Sequence, residues 1–357
     1  MYRGSLSLFI GLAVVACQHP VRRGGQATAD SSRVIQPVAV TDSVRHDSDD
    51  PAVWVNPVNA AQSLIIGTDK DSDGGLYVYD LNGHLLPDKT VHGLKRPNNV
   101  DVEYGLILNG KPTDVVVTTE RETHNLRIFS LPDMQPVDGG GIPMFAGETG
   151  TGFRDLMGIA LYRNKAGLID AIVGRKSGPT DGTYLWQYRL TDAGNGQVKA
   201  TLLRKFGDYS GRKEIESIAV DDQLGYVYYS DEGVGVRQYF ADPERGNKQL
   251  ALFATTGFAE DHEGISIYAT SASTGYLLVS DQGGDRFQVF RREGQAGQPY
   301  AHPWVRTTRV LAHQSDGSET ITRPLNKQFR HGLFIAMSDN RTFQLYRCED
   351  ILGDLIK

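Results

Sequence analysis

The sequence predicts an all-β fold, a single six-bladed β-propeller with four-stranded antiparallel blades. Three observations support this prediction. One strand–turn–strand pattern occurs six times, the copies begin about 50 to 57 residues apart, and β-branched and aromatic residues alternate within them. A repeat of this length with that alternation is typical of a propeller blade and is longer than most helical solenoid repeats.

Each copy contains an apolar strand ending in charged residues, a turn rich in Gly or Asp, and an alternating strand. The six copies begin at Ser63, Asp114, Asp170, Gly225, Gly275 and Gly332. One more strand candidate precedes every pair, as in Asp50-PAVWVN, and a fourth follows five of the pairs, as in Thr201-LLRKFG. The sixth pair has no following strand, so we expect the N-terminal strand within residues 34–40 to close the last blade.

The N-terminal residues carry signals for export. The apolar stretch 6–16 is shorter than a membrane-spanning helix and suits a signal peptide, and Val14-Val15-Ala16-Cys17 resembles a bacterial lipobox. We predict a lipoprotein-type signal peptide over residues 1–17, a flexible tether over 18–33 and the propeller over 34–357. Lipidation of Cys17 would anchor the exported protein to a membrane, facing the periplasm or the cell exterior.

The composition excludes several classes of protein. With 39% hydrophobic and 22% charged residues among 357, the chain has the composition of a folded globular protein. Its net charge of −6 disfavours nucleic acid or an anionic membrane surface as the main partner, because both would repel it. We expect a monomer whose contact with a membrane is made through the lipid.

One face of the predicted propeller concentrates charge. In an antiparallel blade the first strand begins on the face where the second strand ends, so residues at these positions converge near the central channel. The cations of this face are Lys70, Arg121, Arg175 and Lys176. The acids are Asp49, Asp50, Asp155, Glu216, Asp231, Glu232, Asp261, Glu263, Asp281, Asp316, Glu319 and Asp339.

These residue types predict a metal beside an anion. Oxygen ligands without clustered His or Cys favour a hard cation, and several carboxylates suit Ca²⁺ better than Zn²⁺. The basic side chains of blades one to three, Arg175 among them, form the adjoining arc of this face, and they are suited to bind a phosphate ester. A metal-activated water can attack phosphorus without a Ser or Cys nucleophile.

These motifs together resemble the bacterial β-propeller phytases, also called alkaline phytases or 3-phytases. The resemblance runs from about Asp47 to about Tyr346. Its marks are Asp47-SDDPAVWVNP, Ser63-LIIGTDK, Asn98-NVDVEYG, Gly174-RKSG, Glu216-SIAVDDQLGYVYYSDE, Asp261-HEGISIY and Gly275-YLLVSDQGGDRF. It implies an enzyme that uses several Ca²⁺ ions to hydrolyse phosphomonoester bonds of myo-inositol hexakisphosphate (phytate), with one phosphate cleaved while a neighbouring phosphate is gripped.

The resemblance also assigns roles by position. It implies that Lys70, Arg121 and Lys176 bind substrate phosphates, and that Asp50 binds a more structural calcium. The calcium ligands that it implies for the active face are Asp49, Glu216, Glu232, Asp261, Glu263, Gln282 and Asp316. The residues predicted to take part in catalysis are Lys70, Arg121, Lys176, Glu216 and Asp316.

Three positions depart from the family pattern. Arg154 stands where well-known members have an Asn and cannot ligate calcium through its side chain. Met157 replaces a Tyr near the substrate, which removes a possible phosphate hydrogen bond. Ser177 replaces an acid found in some members. These changes are expected to alter calcium demand, rate or substrate preference without abolishing the chemistry.

Two other functions are compatible with a charged propeller face. A calcium-dependent propeller lactonase or esterase would also place carboxylates around the channel. That function would not explain the cluster of basic residues Lys70, Arg121, Arg175 and Lys176. A propeller without catalytic activity that binds a phosphorylated ligand would use both the carboxylates and the basic residues. Tight binding of inositol phosphate without turnover would favour this second alternative.

Overall fold

The computed structural model describes Met1 and residues 33–356, and it confirms the all-β, six-bladed β-propeller. The predicted signal peptide, Cys17 and most of the tether lie outside the described residues. Strands β1 (Val34–Ile35) and β2 (Ala39–Val40) precede the first blade.

The first three blades follow one another along the chain. Blade one contains β3 (Ser48–Trp54), β4 (Leu64–Asp69), β5 (Gly74–Tyr79) and β6 (Val91–Leu94). Blade two contains β7 (Pro97–Leu108), β8 (Lys111–Glu120), β9 (Asn125–Leu131), β10 (Gln135–Pro136) and β11 (Ile142–Pro143). Blade three contains β12 (Leu156–Arg163), β13 (Ile169–Arg175), β14 (Leu185–Asp192) and β15 (Val198–Phe206).

The last three blades complete the ring. Blade four contains β16 (Ile218–Asp221), β17 (Tyr226–Asp231), β18 (Gly235–Phe240) and β19 (Ala251–Phe253). Blade five contains β20 (His262–Ala269), β21 (Gly275–Asp281), β22 (Arg286–Arg291) and β23 (Trp304–Val310). Blade six contains β24 (Ser318–Ile321), β25 (Leu333–Ser338) and β26 (Thr342–Arg347).

The chain is otherwise connected by turns and short helices. The α-helix α1 spans Cys348–Leu352, and the 3₁₀ helices span Ala60–Gln62, Pro87–Lys89, Pro243–Arg245, Gln282–Gly284 and Gly353–Ile356. Within the described part of the chain, none of the helices is of a length and apolarity that could cross a membrane.

The N-terminal segment pairs with two blades. Strand β2 is antiparallel to β26, with Ala39 opposite Leu345, and it is the fourth strand of the sheet of blade six. Strand β1 instead pairs in parallel with β23 of blade five. Pro37, which has no amide N–H to donate, lies between the two short strands. The single strand expected over residues 34–40 is therefore divided between neighbouring blades.

The hydrophobic core lies between the blades. Among the described residues there are six buried clusters, and each contains side chains from two neighbouring blades. In the cluster that closes the ring, Ile65 and Tyr79 of blade one pack with Phe343 and Leu345 of blade six. Because each blade is covered on both faces, an inner strand such as β13 is buried along its whole length.

The innermost strands of four blades contain a β-bulge at the same place. The pairing register shifts by one residue between Ser48 and Pro51 in β3, and between Pro97 and Val100 in β7. It also shifts between Leu156 and Ile159 in β12 and between His262 and Ile265 in β20. A bulge redirects side chains and ends regular pairing, so residues at these four positions are free to point toward the channel mouth.

Candidate active site

Three glutamates form the centre of the charged face. Glu216 precedes β16, Glu232 follows β17 and Glu263 lies in the bulge of β20. One carboxylate oxygen of each lies within 4.8 Å of the others. Oε1 of Glu232 and Oε2 of Glu263 are buried and have no hydrogen-bond partner among the described residues. Burial and the neighbouring carboxylates raise the pKa of Glu232 to about 8 and that of Glu263 well above its ordinary value.

Lys70 connects the carboxylates of three blades. Its ammonium forms an ion pair with Asp49 and lies 3.6 Å from Asp316 and 3.8 Å from Glu216. Burial alone would lower the pKa of Lys70, but the three carboxylates outweigh it and the pKa is raised. Lys70 is therefore a permanent positive charge facing the channel mouth.

Asn98 and Arg121 extend this network into blade two. The Asn98 amide lies in the bulge of β7 and donates to Asp49 at 3.1 Å and also to Glu216. The Asn98 carbonyl oxygen accepts a hydrogen bond from Arg121 Nη2, and Arg121 Nε donates to the Leu156 carbonyl at 3.3 Å. Asn98 is fully buried, so its orientation fixes that of the groups around it.

The remaining predicted ligands of the active face lie at the edge of this group. Gln282 donates to Asp316, whose pKa is raised to about 6 by burial although the Lys70 charge opposes the shift. Asp261 accepts hydrogen bonds from Lys213, and its negative charge contributes to the raised pKa values of Glu232 and Glu263.

Asp50 is separated from these residues and faces the interior of the channel. It accepts a hydrogen bond of 3.0 Å from the Val100 N–H of blade two. It lines a channel cavity of about 210 Å³ together with Asn99, Asp101 and Glu319. Burial raises the pKa of Asp50 to about 8. Asp50 therefore lies apart from the central glutamates, and its proposed role as ligand of a more structural ion stays a prediction.

The two adjacent cations of blade three have different environments. The Lys176 side chain is 44% exposed and pairs with Glu214 at 2.8 Å on the open face. The Arg175 side chain is fully buried; it pairs with Glu148 at 2.9 Å and lies 4.5 Å from the Phe145 ring centre. Its nitrogens also donate to the carbonyl oxygens of Phe153, Thr183 and Tyr184. We therefore correct the assignment of Arg175: its position supports packing within the blade and not substrate binding.

Several other acids of the predicted charged face also have structural surroundings. Asp231 accepts hydrogen bonds from Ser210 and Arg237, and Asp281 accepts from the Ala259 N–H and Arg286. Both are completely buried at the end of the second strand of a blade. Asp339 pairs with His313 at 2.8 Å. The sequence pattern could not separate these loop-fixing acids from the three central glutamates.

The departures from the family pattern lie on the blade-three side of the site. The Sδ atom of Met157 contacts Arg121 Nη2. The Arg154 carbonyl accepts a hydrogen bond of 2.8 Å from His124, while Arg154 Nε is buried without a partner among the described residues. Met157 therefore contacts a predicted phosphate-binding cation and supplies no hydroxyl.

Close approach of neighbouring blades positions the ligands. A Cβ added at Gly158 would lie 2.0 Å from the Glu216 carbonyl oxygen, and one added at Gly317 would lie 2.4 Å from Asp50 Oδ1. No side chain can occupy these positions without moving the backbone or the ligand. Glycine thus permits the contacts between blades three and four and between blades six and one.

Sequence reasoning did not assign roles to Asn98, Lys213 and Glu214. Asn98 lies at a position where strand ends converge, but its amide carries no charge and therefore does not stand out among the acids and cations of this face. Lys213 and Glu214 lie three and two residues before Glu216 in the chain. Their contacts with Asp261 and Lys176 join residues of different blades, which a linear pattern does not reveal.

The residues of this face fit a divalent cation. Within the described part of the chain, Oε1 of Glu232 and Oε2 of Glu263 lack hydrogen-bond partners, the candidate ligand atoms are oxygens, and burial makes uncompensated carboxylates costly. The fold and the site together form a six-bladed β-propeller with a buried carboxylate cluster beside Lys70 and Arg121, and this combination suits metal-dependent hydrolysis of a phosphate ester.

Comparison with known proteins gives the family. The sequence profile of the family described as Phytase matches residues 6–345, and the chain therefore belongs to the phytase family. It is 28% identical over 338 residues to the 3-phytase of Bacillus subtilis (strain 168), covering 89% of this chain and 83% of that protein. Both findings confirm the predicted resemblance, and the protein is a phosphoric monoester hydrolase of the phytase type.

A solved structure shares the fold. A crystal structure of a protein from Lactobacillus plantarum is similar with a TM-score of 0.54 and 13% sequence identity, covering 84% of this chain and 80% of that one. At this level of identity the similarity supports the fold alone.

Proposed function

We propose that this phytase is calcium-dependent and acts as a 3-phytase on myo-inositol hexakisphosphate, releasing inorganic phosphate and lower inositol phosphates. The observation that supports the calcium assignment is the cluster of Glu216, Glu232 and Glu263, in which two buried oxygens have no hydrogen-bond partner within residues 33–356. An all-oxygen donor set with several carboxylates suits Ca²⁺.

The ligands proposed for the active-face ions are the three central glutamates with Asp49, Asp261, Gln282 and Asp316. Asp50 is proposed to hold a separate structural ion in the channel. When bound, such ions offset the carboxylate charge and activate a water molecule for attack on phosphorus.

The chain's own cations hold and orient the substrate. Lys70 and Arg121 lie next to the carboxylates and are proposed to bind the phosphate that is cleaved. Lys176, which is more exposed and lies on blade three, is proposed to bind a neighbouring phosphate. Hydrolysis breaks the ester P–O bond, and water supplies the new oxygen on phosphorus and the proton on the inositol hydroxyl.

The test is phosphate release from phytate by the purified protein at neutral pH, with added Ca²⁺ and with a chelator. Release that requires Ca²⁺ is the expected outcome. Binding of phytate without release would favour a non-catalytic phosphate-binding propeller. Hydrolysis of lactones or carboxylic esters in place of phytate would favour the lactonase or esterase alternative.

We also propose that the exported protein is a monomer anchored through a lipid on Cys17, which lies outside the described residues. The lipobox-like sequence before Cys17 supports this proposal. Expression in a bacterial host with a labelled fatty acid should label the wild-type protein and leave Cys17→Ala unlabelled. Light scattering of the detergent-free Cys17→Ala protein should give the mass of one chain.

A further inference from the structure

Lys213 holds one of the carboxylates at the edge of the active face. It lies in the loop that leads into β16, and its Nζ atom is 2.5 Å and 2.7 Å from the two carboxylate oxygens of Asp261. This contact joins blade four to the residue immediately before β20 of blade five. The Lys213 side chain is 51% exposed, whereas that of Asp261 is only 16% exposed.

The contact affects a carboxylate that belongs to the proposed metal site. Both oxygens of Asp261 interact with one ammonium, so a cation that coordinates Asp261 would lie close to this positive charge and weaken the ion pair. A lysine ammonium is positively charged at neutral pH and repels a divalent cation at short range. The ammonium and the metal therefore compete for the same two oxygens.

The loop that contains Lys213 lies beside the proposed substrate-binding surface, so a displaced Lys213 ammonium can move toward that surface. The following residue, Glu214, pairs with Lys176 at 2.8 Å, so the loop runs beside a proposed phosphate-binding cation. The long exposed side chain of Lys213 can rotate away from Asp261 without unburying a core residue. It then adds positive charge to the surface that faces the anionic substrate.

We infer that Lys213 is a resident counter-ion of the Asp261 carboxylate that a divalent cation displaces, after which its ammonium binds substrate phosphate. This inference rests on the proposed calcium-dependent function and extends it to regulation of the same site. It makes Lys213 both a competitor of calcium and a specificity-determining residue for highly phosphorylated substrates.

The first measurement is calorimetric titration of Ca²⁺ into metal-free protein. Lys213→Met removes the charge and keeps a long side chain, so we expect its apparent Kd for Ca²⁺ to fall about threefold to tenfold. Lys213→Arg keeps the charge and should remain near the wild-type value. Arg212→Ala is the matched control, because Arg212 is an exposed neighbour whose guanidinium contacts the Gly233 carbonyl.

The second measurement separates substrate binding from turnover at saturating Ca²⁺. Lys213→Met should raise KM for phytate about threefold to tenfold, with little change in KM for 4-nitrophenyl phosphate, which carries one phosphate. Arg212→Ala should change neither value.

The outcomes distinguish this inference from the proposed function. If wild-type protein shows no calorimetric Ca²⁺ binding, the calcium-dependent function itself is rejected. If the wild type binds Ca²⁺ and Lys213→Met binds it with equal or lower affinity, the competition is overturned. If calcium affinity rises but KM for phytate is unchanged, the substrate-binding role of the released ammonium is overturned.

Discussion

The side-chain amide of Asn98 donates a hydrogen bond of 3.1 Å to the carboxylate of Asp49. The same buried amide group donates to Glu216 and accepts from Arg121. One uncharged residue of blade two therefore connects proposed metal ligands of blades one and four to a proposed phosphate-binding cation. Asn98 is a positioning residue, because it acts through these neighbours.

We expect Asn98→Ala to lower kcat/KM for phytate about tenfold to a hundredfold. Its removal deprives two carboxylates and a guanidinium of hydrogen bonds to a buried partner, and bonds to charged groups are worth about 1.5–3 kcal/mol each. The measurement is steady-state phosphate release, with thermal unfolding to show that the fold survives. Asn82→Ala, on an exposed turn of blade one, is the control. Equal kcat/KM in the two variants would contradict the positioning role.

Lys70→Ala and Arg121→Ala should each reduce phosphate release by more than tenfold while the circular dichroism spectrum remains that of a folded β protein. Both side chains lie beside the proposed metal ligands, and neither lies in one of the apolar clusters between blades. The assay uses saturating Ca²⁺ so that altered metal affinity does not limit the rate. Unchanged release from either variant would remove that residue from the site.

Arg175→Met should mainly destabilise the protein. Its guanidinium is buried with Glu148, and removal of one partner of a buried ion pair costs about 3–5 kcal/mol. Chemical denaturation should therefore show a large loss of stability, and the KM of any folded fraction should stay near that of the wild type. A raised KM without loss of stability would restore Arg175 as a substrate-binding residue.

Chelation of calcium should lower the thermal unfolding midpoint, because it leaves three crowded carboxylates without a cation. Glu263→Gln should have the opposite effect on the metal-free protein, since an amide replaces a buried carboxyl group whose ionised form is disfavoured beside the other acids. The same variant should lose most of the rise in midpoint that Ca²⁺ produces. Differential scanning calorimetry with and without chelator measures both changes in the unfolding midpoint. A rise in midpoint with Ca²⁺ as large in Glu263→Gln as in the wild type would exclude Glu263 as a ligand.

Stability should also depend on pH through Glu103, away from the active face. Burial, together with the nearby Asp222 charge, raises the pKa of Glu103 to about 8. The folded state binds this proton more tightly than the unfolded state, so the contribution is present at pH 4 and is lost as pH rises toward 8. Between pH 5.5 and 8.5 the free energy of unfolding should fall by about 1 kcal/mol or more relative to Glu103→Gln. Parallel pH profiles for the two proteins would contradict this assignment.

The sequence determined the propeller because the repeat and the alternation of its residues are local properties. Side chains of an inner strand point to both faces of its blade, and both faces are buried against neighbouring blades. The strand must therefore be apolar on both sides, as in the run Ile169–Arg175. The convergence of Lys70, Asp49, Glu216 and Asp316 could also be predicted, because antiparallel strands bring these ends to one face.

Only the tertiary structure separated functional from structural charges. Arg175 and Lys176 are adjacent in sequence, yet one is enclosed by the blade and the other is exposed to solvent. The bulges that redirect Asp49, Asn98 and Glu263 are single-residue register shifts without a clear sequence signal. The network through Asn98 and the competition at Asp261 depend on contacts between blades. Such contacts are set by how the sheets pack around the channel, and the linear order of residues does not specify them.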